Sequence, residues 1–558
     1  MISRKKILVY LGTPVALLSV GGMLAFNNPN EQYFEIAKNL DIFATLFKEI
    51  NTYYVDDVNP SKAIKTGIDA MLGSLDPYTN YIPEDEIEDY RTMTTGQYGG
   101  IGAVISQRNG RVIVMMPYEG FPANKSGMRI GDELLEVDGV DVTKKNTGDV
   151  SKLLKGQAGT KLKIKIKRFG EKEPKMLELT RERIKIDNVP YHGMVTADVG
   201  YLRLTDFTQD AGKEVRKAIV DLKEKGAKKI IFDLRDNPGG LLNEAVNISN
   251  LFIDKDKEVV STRGKVVEWN KSYKALNSPL DTDIPVVVLT SGRSASASEI
   301  VGGVIQDYDR GVLIGQKTYG KGLVQTTRML TYNSQLKVTT AKYYIPSGRC
   351  IQAIDYKNRN SDGSAGKIAD SLKMAFKTTN GRVVYDGGGV APDITVERTA
   401  YAPITISLEN KGLFFDYATE YYYSHPTIAP AKEFKLTDEE YTAFVAWLKN
   451  KEYDYTTKLE TTIKDLEEVS KKEKYYDDIK ERINNLKASV SHNKEQDLTK
   501  HKDEIKEVLE AQIVSRYYLE KGVTEASFDN DPEIQEAVKL FSNMNRYQEI
   551  LKGTAAKK

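Results

Sequence analysis

Val286-Val-Val-Leu-Thr-Ser-Gly-Arg-Ser-Ala-Ser-Ala-Ser-Glu-Ile300 is the stretch that decides the fold. Its first four residues form an apolar, largely β-branched run, the pattern of a buried strand. Ala297, Ile300, Val301, Val304, Ile305 and Tyr308 then recur at helical spacing, which predicts a helix starting inside the serine-rich segment. A strand, a turn of small hydroxyl residues and a helix put a serine at a helix N-terminus, above the carboxyl end of the strand. Crevices form at that edge of an α/β sheet. The local alternative is plain helix capping, since Ser296-x-x-Glu299 fits a capping box. Alone, the stretch favours the cap.

Two other apolar runs change the balance. Lys229-Ile-Ile-Phe-Asp-Leu234 ends at Arg235-Asp-Asn-Pro-Gly-Gly240, and Val312-Leu-Ile314 ends at Gly315-Gln-Lys-Thr-Tyr-Gly-Lys-Gly-Leu-Val-Gln325. If these strands are parallel neighbours of 286–289, right-handed crossovers put all three loops at one sheet edge. Ser296 and Lys321 could then meet, with a helix and a returning strand filling the interval between them. A serine hydroxyl needs a base, and a lysine serves only when its amine is neutral. The helix N-terminus carries about half a positive charge and could contribute to that. Gln325 could hold the amine in place. Gly239 or Gly240, with the amide of Ala297, could donate to an oxyanion. This is the constellation of a Ser/Lys acyl-transfer site.

Two rival chemistries use the same segments. Gly315-x-x-x-x-Gly320-Lys321 reproduces most of a P-loop, but Gly322 stands where the magnesium-binding Ser/Thr should be and Val324-Gln-Thr-Thr is a poor helix start. A histidine base would have to be His192, whose neighbours do not single it out.

Composition bounds the rest. The chain has 558 residues, room for roughly three or four domains. Lys+Arg 80 against Asp+Glu 79 gives no global pull toward nucleic acid. The single cysteine, Cys350, excludes an intrachain disulfide, and four histidines make a metal cluster unexpected, so no metal and no cofactor is expected. Arg4-Lys5-Lys6 precedes an apolar segment from Ile7 to Phe26, about the length that spans a bilayer. The basic flank would stay in the cytoplasm and send the rest outward. Cleavage near Ala25 as a signal peptide is the competing outcome. Both readings export the protein.

From Thr92 to Glu182 the character is short strands and glycine turns. Tyr98-Gly-Gly-Ile-Gly-Ala103 is a glycine loop, Asp138-Gly139 is a hairpin signal, and Lys161-Leu-Lys-Ile-Lys-Ile-Lys167 alternates as the solvated face of an edge strand. The Gly99-Gly-Ile-Gly102 loop and the Gly131-Asp-x-Leu-Leu-x-Val-Asp-Gly139 run resemble a PDZ domain of the circularly arranged kind found in bacterial proteases. Consecutive amides of Gly99, Gly100, Ile101 and Gly102 could capture a carboxylate, and the adjacent strand edge could pair with a peptide tail. Beyond 401 the chain is helical and highly charged. Thr437-x-x-Glu440 and Asp531-Pro532 mark helix starts, and narrow stripes at Leu459, Ile463, Leu466 and Ile479, Ile483, Leu486 suggest helical hairpins or partner contacts.

The assembled order resembles the carboxyl-terminal processing peptidases, or tail-specific proteases, over about residues 30 to 400. Six motifs carry the resemblance: Leu75-Asp-Pro-Tyr-Thr-x-Tyr81, the PDZ segment, Asp233-Leu-Arg-x-Asn-Pro-Gly-Gly240, Ser294-Ala-Ser-Ala-Ser-Glu299, Gly320-Lys-Gly-x-Val-Gln325 and Tyr344-x-Pro-Ser-Gly348. The resemblance assigns the nucleophile to Ser296 rather than Ser294 or Ser298, and the base to Lys321 with Gln325. Tyr78 stands where the family often has His and is read as structural. The fold implied is α/β, a crotonase/ClpP-like protease core with an inserted PDZ domain and flanking helical regions. The expected domains are 1–30 (anchor or signal peptide plus linker), 31–91 (helical), 92–184 (PDZ), 185–400 (protease core) and 401–558 (helical). The implied function is cleavage of exported proteins near or from their C-termini, on the periplasmic side of the inner membrane of a cell envelope. Expected partners are polypeptides with accessible C-terminal tails and the membrane; the flanking helices are compatible with a homodimer, and no nucleic acid is expected. The non-enzymatic alternative is a catalytically inactive PDZ-bearing scaffold in the envelope.

Overall fold

The computed structural model describes residues 29–398, 400–490 and 494–555; the apolar segment Ile7 to Phe26 lies outside them. The chain divides into two compact units, one ending at Tyr81 and the other beginning at Ile82. The first contains helices α1 (Pro29–Tyr53) and α2 (Pro60–Gly73). Asn59 caps α2 by accepting from the Lys62 amide, and Pro60 occupies its first turn. At the unit's end Asp76 accepts from the Tyr78 and Thr79 amides, both at 2.8 Å, an Asx turn that ends the helical run.

After a helix at Ile87–Thr95, the second unit continues with strands in the order expected for the glycine-turn region. They are β1 (Gln97–Gly100), β2 (Ala103–Arg108), β3 (Arg111–Pro117), β4 (Glu133–Val137) and β5 (Val140–Asp141). After helix α3 (Thr147–Leu154) come β6 (Lys161–Lys167), β7 (Lys175–Thr180) and β8 (Glu182–Lys185). The sheet runs β2-β3-β4-β6-β7, with β1 paired to β8 apart from it. Asp138 (φ 48°) and Gly139 (φ 82°) make the tight turn between β4 and β5, where two consecutive positive-φ residues match the strand twist. Leu162, Ile164 and Ile166 are buried, so the lysine alternation of β6 does separate a core face from a wet one. Its place differs from expectation: β6 lies between β4 and β7 and is not an edge strand. Period-2 alternation reports which face is buried and carries no information on whether both edges are paired.

The core of this unit is a six-stranded sheet. Its strands are β9 (Tyr191–Met194), β10 (Val199–Arg203), β11 (Lys229–Asp233), β12 (Val286–Thr290), β13 (Gly311–Gly315) and β14 (Ile394–Thr395), in that spatial order. Only β9 is antiparallel to its neighbour. Helices α4 (Ala211–Glu224), α5 (Leu242–Ser249) and α6 (Ala297–Asp307) cross between the strands. They bury Val215, Ile219, Ile248, Ile300 and Val304 against Ile230, Phe232, Val286, Val288 and Leu313 on one face.

The opposite face presents Ile231, Val287, Leu289, Val312 and Ile314, and a sheet apolar on both sides needs a second layer. That layer comes from the far end of the chain. Phe528, Ile534, Ala537, Leu540, Phe541, Tyr547 and Leu551 cover it, carried largely on helices at Pro532–Ser542 and Met544–Leu551. Arg235, at the end of β11, is held to Asp531 at 2.7 Å and to Glu533 at 3.2 Å. The closing helices therefore grip the glycine loop that follows β11. The preceding helices form their own core around Phe414, Phe444, Leu509 and Ile513. If the closing layer carries the sheet, Phe541→Ala should cost about 3–5 kcal/mol, read as a lowered urea midpoint for the core transition. An unchanged midpoint would mean the layer is dispensable.

Candidate active site

The three loops expected at one sheet edge are there. Strands β11, β12 and β13 are parallel neighbours in register, with Asp233 opposite Leu289 and Thr290 opposite Gly315. The Arg235–Gly240, Ser291–Ser296 and Gln316–Lys321 loops consequently leave the same edge. Ser294 is fully buried, with Oγ donating to the Leu234 carbonyl at 2.8 Å, and Ser298 Oγ donates to the Asn237 carbonyl at 3.0 Å. Both flanking serines thus fasten the strand-12 turn to the strand-11 turn. Ser296 sits between them at the N-cap of α6 with φ 55° and ψ −111°. A non-glycine residue in that region carries about 1–3 kcal/mol of strain, held by the structure around it.

What holds it is Glu299. This carboxylate is completely buried and accepts four hydrogen bonds: Ser296 N–H at 2.8 Å and Lys321 N–H at 2.9 Å on Oε2, Gly320 N–H at 2.7 Å and the Thr318 hydroxyl at 2.5 Å on Oε1. The bond to Ser296 is the expected capping interaction; the other three tie the lysine loop to the serine loop. From the next sheet, Tyr343 on the strand Gln335–Tyr344 brings its hydroxyl to the Ser296 carbonyl at 3.1 Å and to the Lys321 carbonyl. Neither Glu299's long-range role nor Tyr343 was singled out from sequence.

The glycine loop approaches from the third side. A Cβ on Gly239 would lie 2.8 Å from the Ala297 nitrogen and 2.8 Å from Ser296 Cβ, and its φ of +98° also demands glycine. The Gly239 amide itself donates to Asn237 Oδ1 at 2.8 Å. The amides of Gly240 and Ala297 make no hydrogen bond among the described residues. Of the three candidate donors these two remain available. Gln325 lies on the strand Leu323–Met329 and donates its side-chain amide to Thr339 Oγ1 at 3.1 Å, leaving its carbonyl oxygen as an acceptor.

The rivals lose ground here. A strand, not a helix, follows Lys321, so the segment presents no phosphate-binding helix N-terminus. His192 lies on β9 with Nε2 3.3 Å from Asp221 on α4, and burial holds its pKa below the usual value.

In the PDZ segment, Gly99 and Gly100 belong to β1 and pair with Arg183 and Glu182. Ile101 and Gly102 accept at their carbonyls from Ala123 (2.8 Å) and Tyr118 (2.9 Å), and their amides make no hydrogen bond among the described residues. The Ile101 and Gly102 amides, two of the four read from sequence, are thus open to a ligand.

Burial pushes the Glu299 carboxyl from the usual 4.5 up to about 7, partly offset by its four donors. Because the folded-state value is raised, the group's stabilising contribution is full below about 4.5 and lost as pH rises through about 7. Between those pH values the stability of wild type relative to Glu299→Gln should fall by on the order of 3 kcal/mol, then level off. Unfolding titrations of both proteins across that range check it; a constant difference would contradict the buried-carboxyl account.

Comparison with known proteins places this geometry in a family. The model for peptidase family S41 matches residues 198–358, a PDZ-domain model matches 113–168, and a model described as probable PDZ-protease, C-terminal helical domain, matches 404–541. A carboxy-terminal-processing protease of Bartonella bacilliformis is 36% identical over 343 residues, 61% of this chain and 77% of that protein. A probable CtpA-like serine protease of Staphylococcus aureus is 34% identical over 342 residues, 61% and 67% of the two chains. Among solved structures, the photosystem II D1 C-terminal processing protease aligns at 26% identity over 64% of this chain and 92% of that one, with a TM-score of 0.34. The chain is a serine-type peptidase of family S41, and it belongs to the carboxy-terminal-processing proteases.

Proposed function

We propose that the protein cleaves exported polypeptides near or from their C-termini with Ser296 as nucleophile and Lys321 as general base. The observation that carries this is the shared grip of Glu299 and Tyr343 on the Ser296 and Lys321 backbones, which holds the two backbone segments side by side. Ser296 Oγ attacks the scissile carbonyl as Lys321 Nζ takes its proton. The amides of Gly240 and Ala297 stabilise the oxyanion, with Gly239 keeping the space clear. Protonated Lys321 then gives that proton to the leaving amine as the peptide C–N bond breaks. Lys321 Nζ next takes a proton from the water that attacks the ester carbonyl and returns it to Ser296 Oγ as the acyl–oxygen bond breaks. Gln325 orients the amine through its free carbonyl oxygen.

The PDZ segment delivers the tail, its carboxylate received by the Ile101 and Gly102 amides. The protein is exported, held to or released from the periplasmic side of the inner membrane through Ile7–Phe26. Among the described residues no helix is long and apolar enough to cross a membrane. Exposed Phe34, Leu40 and Leu46 on α1 support pairing of two copies through that helix.

On an unfolded protein with an apolar C-terminal tail, Ser296→Ala and Lys321→Ala should abolish cleavage and His192→Ala should not. Activity surviving Lys321→Ala would sink the Ser/Lys mechanism. Gly239→Ala should lower kcat by at least about 100-fold by filling the space before the Ala297 amide; near-normal turnover would exclude that amide as a donor. Amidating the substrate's terminal carboxylate should slow cleavage, and an unchanged rate would remove tail recognition.

A further inference from the structure

We infer that Glu299 is the positioning residue of this site: together with Tyr343 it sets the separation of the Ser296 and Lys321 backbones, and so controls turnover rather than substrate binding. The inference rests on the Ser296/Lys321 reading above and deepens it. One oxygen atom, Oε2, accepts from both the Ser296 and the Lys321 N–H, and one hydroxyl, that of Tyr343, approaches both carbonyls. Each residue of the proposed dyad is thereby gripped at its N–H and at its C=O by groups shared with the other.

Helix capping alone does not account for this carboxylate. A capping box needs only the Ser296 bond. The other three bonds go to Thr318, Gly320 and Lys321, on a loop that returns after α6 and β13. Glu299 has no exposure to solvent and makes no ion pair among the described residues, so its charge is compensated only by N–H and O–H dipoles. Burying a carboxylate without a cation is costly, and the next turns of α6 bury Ile300, Val301, Val304 and Ile305. An acid at this position is explained by what it holds. It also anchors Ser296 in its positive-φ conformation, which relaxes once the amide is released.

The test uses the full chain and compares wild type with Glu299→Ala, Glu299→Gln, Tyr343→Phe and Ser296→Ala in steady-state cleavage of the same unfolded protein, with circular dichroism to check folding. Glu299→Ala should lower kcat about 100-fold, the scale of a misplaced reacting group. Its KM should stay within about twofold, because binding is not what the clamp controls. Glu299→Gln should lose less kcat than Glu299→Ala, since its carbonyl oxygen can still face the Ser296 and Lys321 amides and the Thr318 hydroxyl can turn to accept from its NH2, although that NH2 then meets the Gly320 N–H donor. Tyr343→Phe, which removes one oxygen atom and keeps the ring, should also lower kcat and leave KM alone. If Glu299→Ala fails to fold, the Gln and Phe variants decide alone. Wild-type kcat in Glu299→Ala, or losses appearing in KM, with Ser296→Ala inactive, overturns the positioning role and leaves the dyad standing. Wild-type activity in Ser296→Ala would instead overturn the dyad, and the inference with it.

Discussion

One buried carboxylate receives four donors from two loops that are distant in sequence, and the rest of the site is arranged around that contact. Without it the serine turn and the lysine loop would still meet through the Tyr319 amide on the Ser294 carbonyl at 3.0 Å and through the Tyr343 hydroxyl, but nothing would join the Ser296 and Lys321 amides. With it, a fixed pair of hydrogen bonds sets their spacing. The cost is the desolvation of a charge, visible as a carboxyl pushed up to about 7. A fold that retains such a group exchanges stability for geometry, a common trade where reacting groups must be held in place.

The surrounding structure makes that exchange tolerable by fixing each loop elsewhere. Ser294 and Ser298 bond the serine turn to the glycine turn. Arg235 ties the glycine turn to Asp531 and Glu533, and so to the helices that cover the second face of the sheet. At the other end of α6, Asp307 forms a fully buried pair with Arg349 at 2.9 Å and accepts from the Ser347 amide at 3.0 Å, securing the loop that follows Tyr343. The C-terminal helices are therefore part of the architecture of the site, since they meet the glycine loop at Arg235.

Much of this was legible from sequence where the cause is local. Three apolar runs, each followed by small or glycine residues, specified parallel strands and a common edge, because strand burial and turn chemistry act over a few residues. The Ser296–Glu299 capping bond was legible for the same reason. What sequence did not reveal depends on partners far along the chain: the second and third duties of Glu299, the Tyr343 hydroxyl, and the Arg235–Asp531 pair. The closing helices could have been anticipated from one signal. Residues 230–232, 286–289 and 312–314 are apolar at every consecutive position, which requires cover on both faces, whereas the helices between them supply one layer. The edge assignment of Lys161–Lys167 failed because alternation specifies a face and not a neighbour. Gly239 was read as an amide donor, and its amide is engaged by Asn237; its contribution is the absence of a side chain.

The chemistry turns on which hydroxyl is activated. Treating the folded protein with a serine-directed fluorophosphonate and mapping the adduct by peptide mass spectrometry tests this without any assumption about substrate. A single adduct on Ser296, lost in Lys321→Ala, is the predicted result. Labelling of Ser294 or Ser298, or labelling of Ser296 that is indifferent to Lys321, would contradict it.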